Sequence, residues 1–383
     1  MKKFHPSLLF ILLLALLLAG CWDYVEIELL DFVFGVGIDR IDQDFFVITE
    51  MINVSGGEQE SQFKPVVLST KGRSLSSAGR ALSGPAGMIV FWSHAFVLVV
   101  SEEVARQGII PSIEYGVRSR HMRSTVFVFV TKDCTAEEVF KSKPPFASSV
   151  SEHLNSISLQ QALLTNFYPR EIWQFTSDLT AEGVCATLPA VRLVHESGEL
   201  VPIVEGTAVF KQDQMVGWLD ADESQLLVLL QGLVERGHFV MDTRIKGEVS
   251  PITYELLANQ VETKPIVEDG KLSMKIGLEF QVSVVEVGDA NVNFQNQEEV
   301  ASMEQQISHA FNRRTREFLA KVHKNYNADV LGLGRLLRRR EPDAWRHYGD
   351  NWYTHLPNLS VDVEVKSKIT LTGLLSQPVM VRD

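Results

Sequence analysis

Cys21 is the residue whose neighbours prepare it for a covalent reaction. It follows Leu18-Ala19-Gly20. Small side chains let a chain lie in a peptidase groove, and a thiol stands directly after them. The four residues look like a bacterial lipobox. That likeness implies a diacylglycerol on the Cys21 sulfur, cleavage of the bond before it, and a new amine that is exposed or acylated. Other constellations are poorer in chemistry. The sequence has no Gly-x-Ser-x-Gly elbow, no Walker loop and no His-Glu-x-x-His helix. Gly35-Val36-Gly37 starts like a dinucleotide-binding turn. Arg40 stands where the third glycine is needed and no helical pattern follows, so these glycines read as a bulge or a close backbone approach. Asp220, Asp222 and Glu223 start like a calcium loop without its glycine and distal glutamate; Asp220 with Glu223 reads instead as a helix cap. Glu102-Glu103, Glu137-Glu138 and Glu298-Glu299 sit where helices begin, and carboxylates there complement the helix dipole. His347 and His355 are not at metal-ligand spacing. Arg338-Arg339-Arg340 reads as a solvated helix end, and Trp345 with Trp352 as one apolar helix face. No catalytic, cofactor-binding or metal-ligating residue is assigned.

What positions Cys21 is the leader before it. Lys2 and Lys3 precede Leu8 to Gly20, an uncharged apolar run. A basic start and a short apolar core form a secretory signal, here residues 1–20. A spanning helix needs about 20 apolar residues, more than this run supplies. The remaining chain is expected to fold outside the cytoplasmic membrane, tethered to its outer face. It keeps 34 Lys and Arg against 48 Asp and Glu, so the formal charge moves from -12 to -14. Such an acidic body is a poor partner for nucleic acid or an anionic lipid surface, which leaves the anchoring to the lipid. Cys134 and Cys185 remain after Cys21. Two cysteines make no disulfide framework, and free buried thiols are the reading taken.

The body reads as a multi-domain α+β protein of mostly antiparallel sheets with packed helices. Asp31 to Arg40 and Asp44 to Val54 form a hairpin. Val66 to Thr70, Ala95 to Val100 and Ser124 to Thr131 are further strands, the last by its alternation. Ser74, Ser101 and Thr135 cap helices. Val150 to Leu164 and Pro169 to Leu179 are two helices. A domain boundary is placed between residues 195 and 204, dividing an N-terminal region 21–200, one domain or two, from a C-terminal domain 201–383. In the latter, Gly206 to Lys211 and Met215 to Leu219 form strands, and Phe239 to Thr243, Ile252 to Glu262 and Leu272 to Val287 three more. Gln295 to Asn325 is one long amphipathic helix, its stripe of Val300, Met303, Ile307, Phe311, Phe318 and Val322 interrupted at Arg314. Ala328 to Arg340 and a segment from Pro342 are helical, and Leu359 to Thr372 is a closing strand.

Several motifs together resemble the Ger(x)C family of spore-germination lipoproteins. They are Cys21-Trp22-Asp23, Gly37-Ile38-Asp39, Gly206-Thr207-Ala208-Val209-Phe210 with Val216-Gly217-Trp218-Leu219, and Pro342-x-x-Trp345 followed by Trp352 and the strand to Gly373. Tyr24 to Leu30 is apolar and acidic where the family has a basic, polar stretch. The resemblance covers the whole chain after the leader. It implies a non-catalytic C subunit of a nutrient germinant receptor, without cofactor, on the outer face of the spore inner membrane. Its partners would be an integral-membrane A subunit and a permease-like B subunit, and the one residue carried over is the lipidated Cys21. The alternative is a solute-binding lipoprotein that delivers a ligand to a transporter. That would need two α/β lobes around a cleft, and the sequence reads as strand-dense without repeated βαβ units.

Overall fold

The first apolar run folds back on itself about a turn at Asp42-Gln43. Strand β1 (Leu30–Ile41) pairs antiparallel with β2 (Asp44–Asn53), and β2 with β3 (Val66–Gly72). The structure is a computed structural model and describes residues 26–53, 65–118, 122–160, 165–234, 236–288 and 292–371. After α1 (Leu75–Ala81), the short β4 (Ile89–Phe91) and β5 (Val97–Val100) both lie parallel to β1. Helices α2 (Glu102–Gln107) and α3 (Ile110–Arg118) lead to β6 (Phe127–Thr131), which is parallel to β5. Helices α4 (Ala136–Lys141), α5 (Val150–Leu159) and α6 (Ile172–Thr180) lead to β7 (Thr187–Glu196), parallel to β6. Two antiparallel strands, β8 (Glu199–Lys211) and β9 (Gln214–Leu219), complete a nine-stranded sheet.

The expectation of no repeated βαβ units therefore fails at the centre of this sheet, where β1, β5, β6 and β7 run parallel through helical crossovers. The reason is burial on both faces. Val97, Val99 and Phe129 pack under α4 and α5, while Leu98, Val100, Val128 and Val130 pack under α1, α2, α3 and α6. A strand covered on both sides carries no polar alternation, so its direction is not legible in its residue pattern.

The first sheet continues past residue 200: the Ser197-Gly198 turn is the tip of the β7–β8 hairpin, and the change of sheet comes after Leu219. Helix α7 (Ala221–Leu230) begins with the Asp220–Glu223 capping box. Its residues Leu226 to Leu230 are all buried, as befits a helix held between two layers. The second sheet runs β10 (Gly237–Ile245), β11 (Glu248–Glu268), β12 (Lys271–Glu286) and β13 (Ser360–Leu371), with β13 parallel to β12 and the other pairs antiparallel. The parallel closure needs a long crossover. It is supplied by α8 (Gln297–Ala320), a π-helical turn Lys321–Asn325, α9 (Leu333–Arg340), α10 (Pro342–Tyr348) and α11 (Trp352–His355). The apolar stripe of α8 covers the sheet, Phe311 lying 5.0 Å from Phe239 and 4.8 Å from Phe280 between ring centres. Thr315 fills the gap beside Arg314: it is buried and donates its hydroxyl to the Phe311 carbonyl at 2.8 Å. The expected helix from Ala328 starts only at Leu333, because Asp329 is occupied in capping it. Of Val150 to Leu164, the described helix ends at Leu159, and residues 161–164 lie outside the described residues.

Candidate functional site

Cys21, Trp22, Asp23 and Gly373 lie outside the described residues. What the fold does fix is where the described chain begins. The described chain opens at Glu26, makes one helical turn at Ile27–Leu29 and enters β1 beside β4.

The Gly-Ile-Asp motif ends in a buried carboxylate with a definite task. Asp39 Oδ1 accepts from the Ala136 amide at 2.8 Å and Oδ2 from the Glu137 amide at 3.0 Å. Thr135 takes the next amide, that of Glu138, at 3.1 Å. All three opening N–H groups of α4 are thus satisfied, and an unsatisfied one would be costly here. Burial pushes the Asp39 carboxyl up from its usual range while these donors pull it down. Glu50 on β2 repeats the device on α5. It accepts from the amides of Val150 at 2.9 Å and Ser151 at 2.8 Å and from the Ser151 hydroxyl, while Ser149 caps Glu152. Gly35 in β1 lets α4 and α5 approach: a Cβ there would lie 2.5 Å from the Phe140 ring and closer still to the Ser151 hydroxyl. The close-approach reading of the strand glycines is the one the fold uses, and β1 also carries a bulge between Val33 and Gly35.

A third carboxylate sits at the joint between the two sheets. Asp329 is fully buried and accepts from the amides of Leu333 at 2.9 Å and Gly334 at 2.8 Å and from the Trp352 indole at 3.0 Å. Its own carbonyl accepts from the Cys185 amide at 2.8 Å, and Arg335 donates its amide to Gly183 at 2.8 Å. A Cβ on Gly334 would lie 2.7 Å from the Gly183 backbone and 2.8 Å from Trp352, so only glycine permits this crossing. Tyr353 donates to the Val184 carbonyl at 3.3 Å, and Tyr326 to the Trp218 carbonyl at 2.9 Å within the central motif. Lys321 reaches Glu223 on α7 at 2.8 Å. Beside this seam a cleft of about 700 Å³ opens between Glu182–Val184 and Trp345, Arg346 and Tyr353.

The seam holds packing and hydrogen bonds rather than a reactive group. Cys134 and Cys185 are both free. Burial pushes the Cys134 thiol up to about 12 and raises Cys185 as well, so neither is a ready thiolate. Trp352 is buried with its ring 5.8 Å from Trp345, in a cluster with Leu333, Leu337 and Leu356. The reading of one helix face fails, because a turn at Gly349–Asn351 separates α10 from α11; the core reading holds for Trp352, while Trp345 is half-buried against it. Arg338 lies at an exposed helix end, 3.1 Å from Glu182. Among the described residues no group of His, Cys, Asp and Glu is arranged to hold a metal ion. Of the three buried carboxylates only Asp39 stands in a motif visible in the sequence, Gly37-Ile38-Asp39; Glu50 and Asp329 carry no local sign of the helix each one closes.

Two buried groups near the seam oppose each other in their pH dependence. Burial raises Asp329 to about 6 from 3.8. Between those values the folded chain keeps a proton that the unfolded chain has released, so its contribution to stability is full below 3.8 and falls as pH rises to about 6. Burial lowers His323, in the π turn, to about 4 from 6.5. There the unfolded chain binds the extra proton, so its contribution is full above 6.5 and is lost as pH falls toward 4. Each window is worth on the order of 3 kcal/mol. Denaturation midpoints of an Asp329→Asn chain should therefore climb more steeply between pH 4 and 6 than those of the wild type, and a His323→Leu chain should show the opposite change. Curves parallel to the wild type in both variants would contradict this assignment.

Residues 23–193 match the family model described as the spore germination protein N-terminal domain, and residues 205–373 the one described as spore germination B3/GerAC-like, C-terminal. The interval between the matches is the β7–β8 turn region. Spore germination protein B3 of Bacillus subtilis (strain 168) is 25% identical, over 97% of this chain and 98% of its own. Spore germination protein KC of the same organism is 23% identical over 96% of both, and spore germination protein A3 is 24% identical over 91% of this chain and 93% of its own. The crystal structure of the GerBC protein aligns with a TM-score of 0.56 at 18% identity, covering 88% of this chain and 96% of that one, so the fold is shared.

Proposed function

The chain belongs to the spore germination B3/GerAC-like family, and from that premise we propose that it is the non-catalytic, lipid-anchored C subunit of a nutrient germinant receptor. The observation that carries this reading is the ordered match of both family domains, 23–193 and 205–373, after the apolar run Leu8 to Gly20 and Cys21. In this reading the diacylglycerol on Cys21 holds the body on the outer face of the spore inner membrane. The integral-membrane A and B subunits are its partners. Confinement near the membrane raises its effective concentration toward them. The seam supplies a mechanical role: hydrogen bonds from Asp329, Arg335 and Tyr353 fasten the second sheet's helices to the first sheet, so load on one unit reaches the other.

The parallel centre of the first sheet removes one argument against a solute-binding lipoprotein. The second sheet, with one parallel pair among its strands, does not make the matching lobe such a protein needs. Affinity purification of the chain from solubilised spore membranes separates the two readings. A receptor subunit brings down integral-membrane A- and B-type proteins in comparable amounts. Recovery with a solute transporter, or tight binding of a nutrient by the chain alone, would overturn the receptor reading.

A further inference from the structure

After α4 the chain reads Ser142-Lys143-Pro144-Pro145-Phe146. The Phe146 side chain is fully exposed, at 100%, whereas Leu159, the next among the large apolar residues described, reaches 71%. Phe146 belongs to none of the hydrophobic clusters of the fold. Its ring therefore adds nothing to a core, and water surrounds a surface that phenylalanine ordinarily buries. Pro145 beside it and Leu200 on β8 are exposed as well, so the ring heads a small apolar tip.

The loop that carries this tip is fastened at both ends. The Lys143 amide donates to the Leu200 carbonyl at 2.8 Å, and the Lys143 ammonium meets Glu199 at 2.8 Å. On the other side Ser149 caps α5 by accepting from the Glu152 amide at 3.0 Å, and Glu50 of β2 holds the Val150 amide at 2.9 Å. Between these ties the rings of Pro144 and Pro145 fix φ. A phenyl side chain has few rotatable bonds, so on such a loop little freedom is left to lose on docking.

The charges around the tip select what it docks into. Glu199 offsets Lys143, and Glu137 offsets Lys141. Glu196 lies opposite Glu199 across the β7–β8 turn, and Glu152 accepts from the Ser148 hydroxyl at 2.7 Å. Neither Glu152 nor Glu196 forms an ion pair with a described residue. An anionic bilayer repels such a surplus of carboxylate, whereas basic residues on a protein complement it. A projecting ring with so small an apolar margin also suits a pocket rather than a flat surface.

We propose that Phe146 is a docking anchor that enters an apolar pocket with a basic rim on a protein partner. The loop alone defines the chemistry of that pocket; the partner's identity as an integral-membrane A or B subunit, met where it extends outside the bilayer, rests on the receptor reading.

The test uses the full chain in spore membranes, with a photoreactive benzophenone side chain at position 146 or, as control, at position 267, where Val267 is an exposed apolar residue near the β11–β12 turn. Position 146 should crosslink to an A- or B-type subunit and position 267 should not. A Phe146→Ala chain should recover that subunit about tenfold less well than the wild type, the size of a hot-spot loss. Its denaturation midpoint and membrane-bound share should not change, because the ring packs against no core. Phe146→Leu should keep most of the recovery, and Glu196→Lys should lower it several-fold. Where the wild type recovers the subunit, undiminished recovery in Phe146→Ala, or crosslinks from position 146 confined to lipid or to the chain itself, overturns the anchor and leaves the receptor reading in place. An identified partner of another kind, lost from Phe146→Ala, keeps the anchor and removes the receptor reading. A wild-type chain that recovers no protein and crosslinks to none loses both.

Discussion

A Trp352→Ala chain should lose about 3–5 kcal/mol of stability in the part of the molecule built on the second sheet, the range for deleting a large buried aromatic side chain. Trp352 is the largest fully buried side chain in the structure. It packs against Met274 on β12, Leu333 and Leu337 on α9, and Leu356, so its removal opens a cavity bounded by rigid helices. A second loss adds to the cavity. The indole N–H donates to Asp329 at 3.0 Å, and that carboxylate has no solvent to replace it. A buried acceptor deprived of its donor typically costs about 1–3 kcal/mol. Trp352→Phe separates the terms, since it keeps most of the apolar volume and removes the donor alone. Urea titration followed by circular dichroism should order the chains as wild type, Trp352→Phe, Trp352→Ala. Because Asp329 also holds the Cys185 amide through its carbonyl, the seam should loosen with it, and amide exchange at Cys185 should quicken. An unchanged midpoint in Trp352→Ala would show that the joint is not held this way.

The prominence of Trp352 and Asp329 also shows how far the sequence could be read. Local signals were legible wherever chemistry was local. Thr135 with Glu138 and Asp220 with Glu223 form the capping boxes their spacing predicts, and the three- and four-residue steps of α8 lie on the second sheet. The hairpin of β1 and β2 follows from two β-rich runs around a short polar turn at Asp42-Gln43. Partners distant in sequence were not legible. Asp39 and Ala136 are 97 residues apart, and Glu50 and Ser151 are 101 apart, so nothing local says that a strand carboxylate will close a helix. Val97 to Val100 and Phe127 to Thr131 could not declare a parallel centre, because both faces are buried and the alternation of Phe with Val in the second strand sets no polar face against an apolar one. The change of sheet was also hidden. The Ser197-Gly198 turn lies in the interval between the two family matches, while β8 and β9 stay in the first sheet and α7, buried from Leu226 to Leu230, makes the transition to the second.

Replacing Cys21 should have the largest effect on function of any single change. On the proposed reading the Cys21 thiol takes the diacylglycerol, and each buried CH₂ of an acyl chain contributes about 0.8 kcal/mol to membrane binding, so two chains would make a stable anchor. The apolar run Leu8 to Gly20 is too short to substitute as a spanning helix, and among the described residues no helix is long and apolar enough to cross a membrane. Without the anchor, the effective concentration near membrane partners falls from about the millimolar level of a short tether to that of the free protein. The measurement is membrane fractionation of spores carrying Cys21→Ala, with their response to nutrient followed in parallel and Cys134→Ala as the control thiol. The account predicts at least a tenfold fall in the membrane-bound share together with loss of the nutrient response, and neither change in Cys134→Ala. Full membrane retention with normal germination in Cys21→Ala would contradict it.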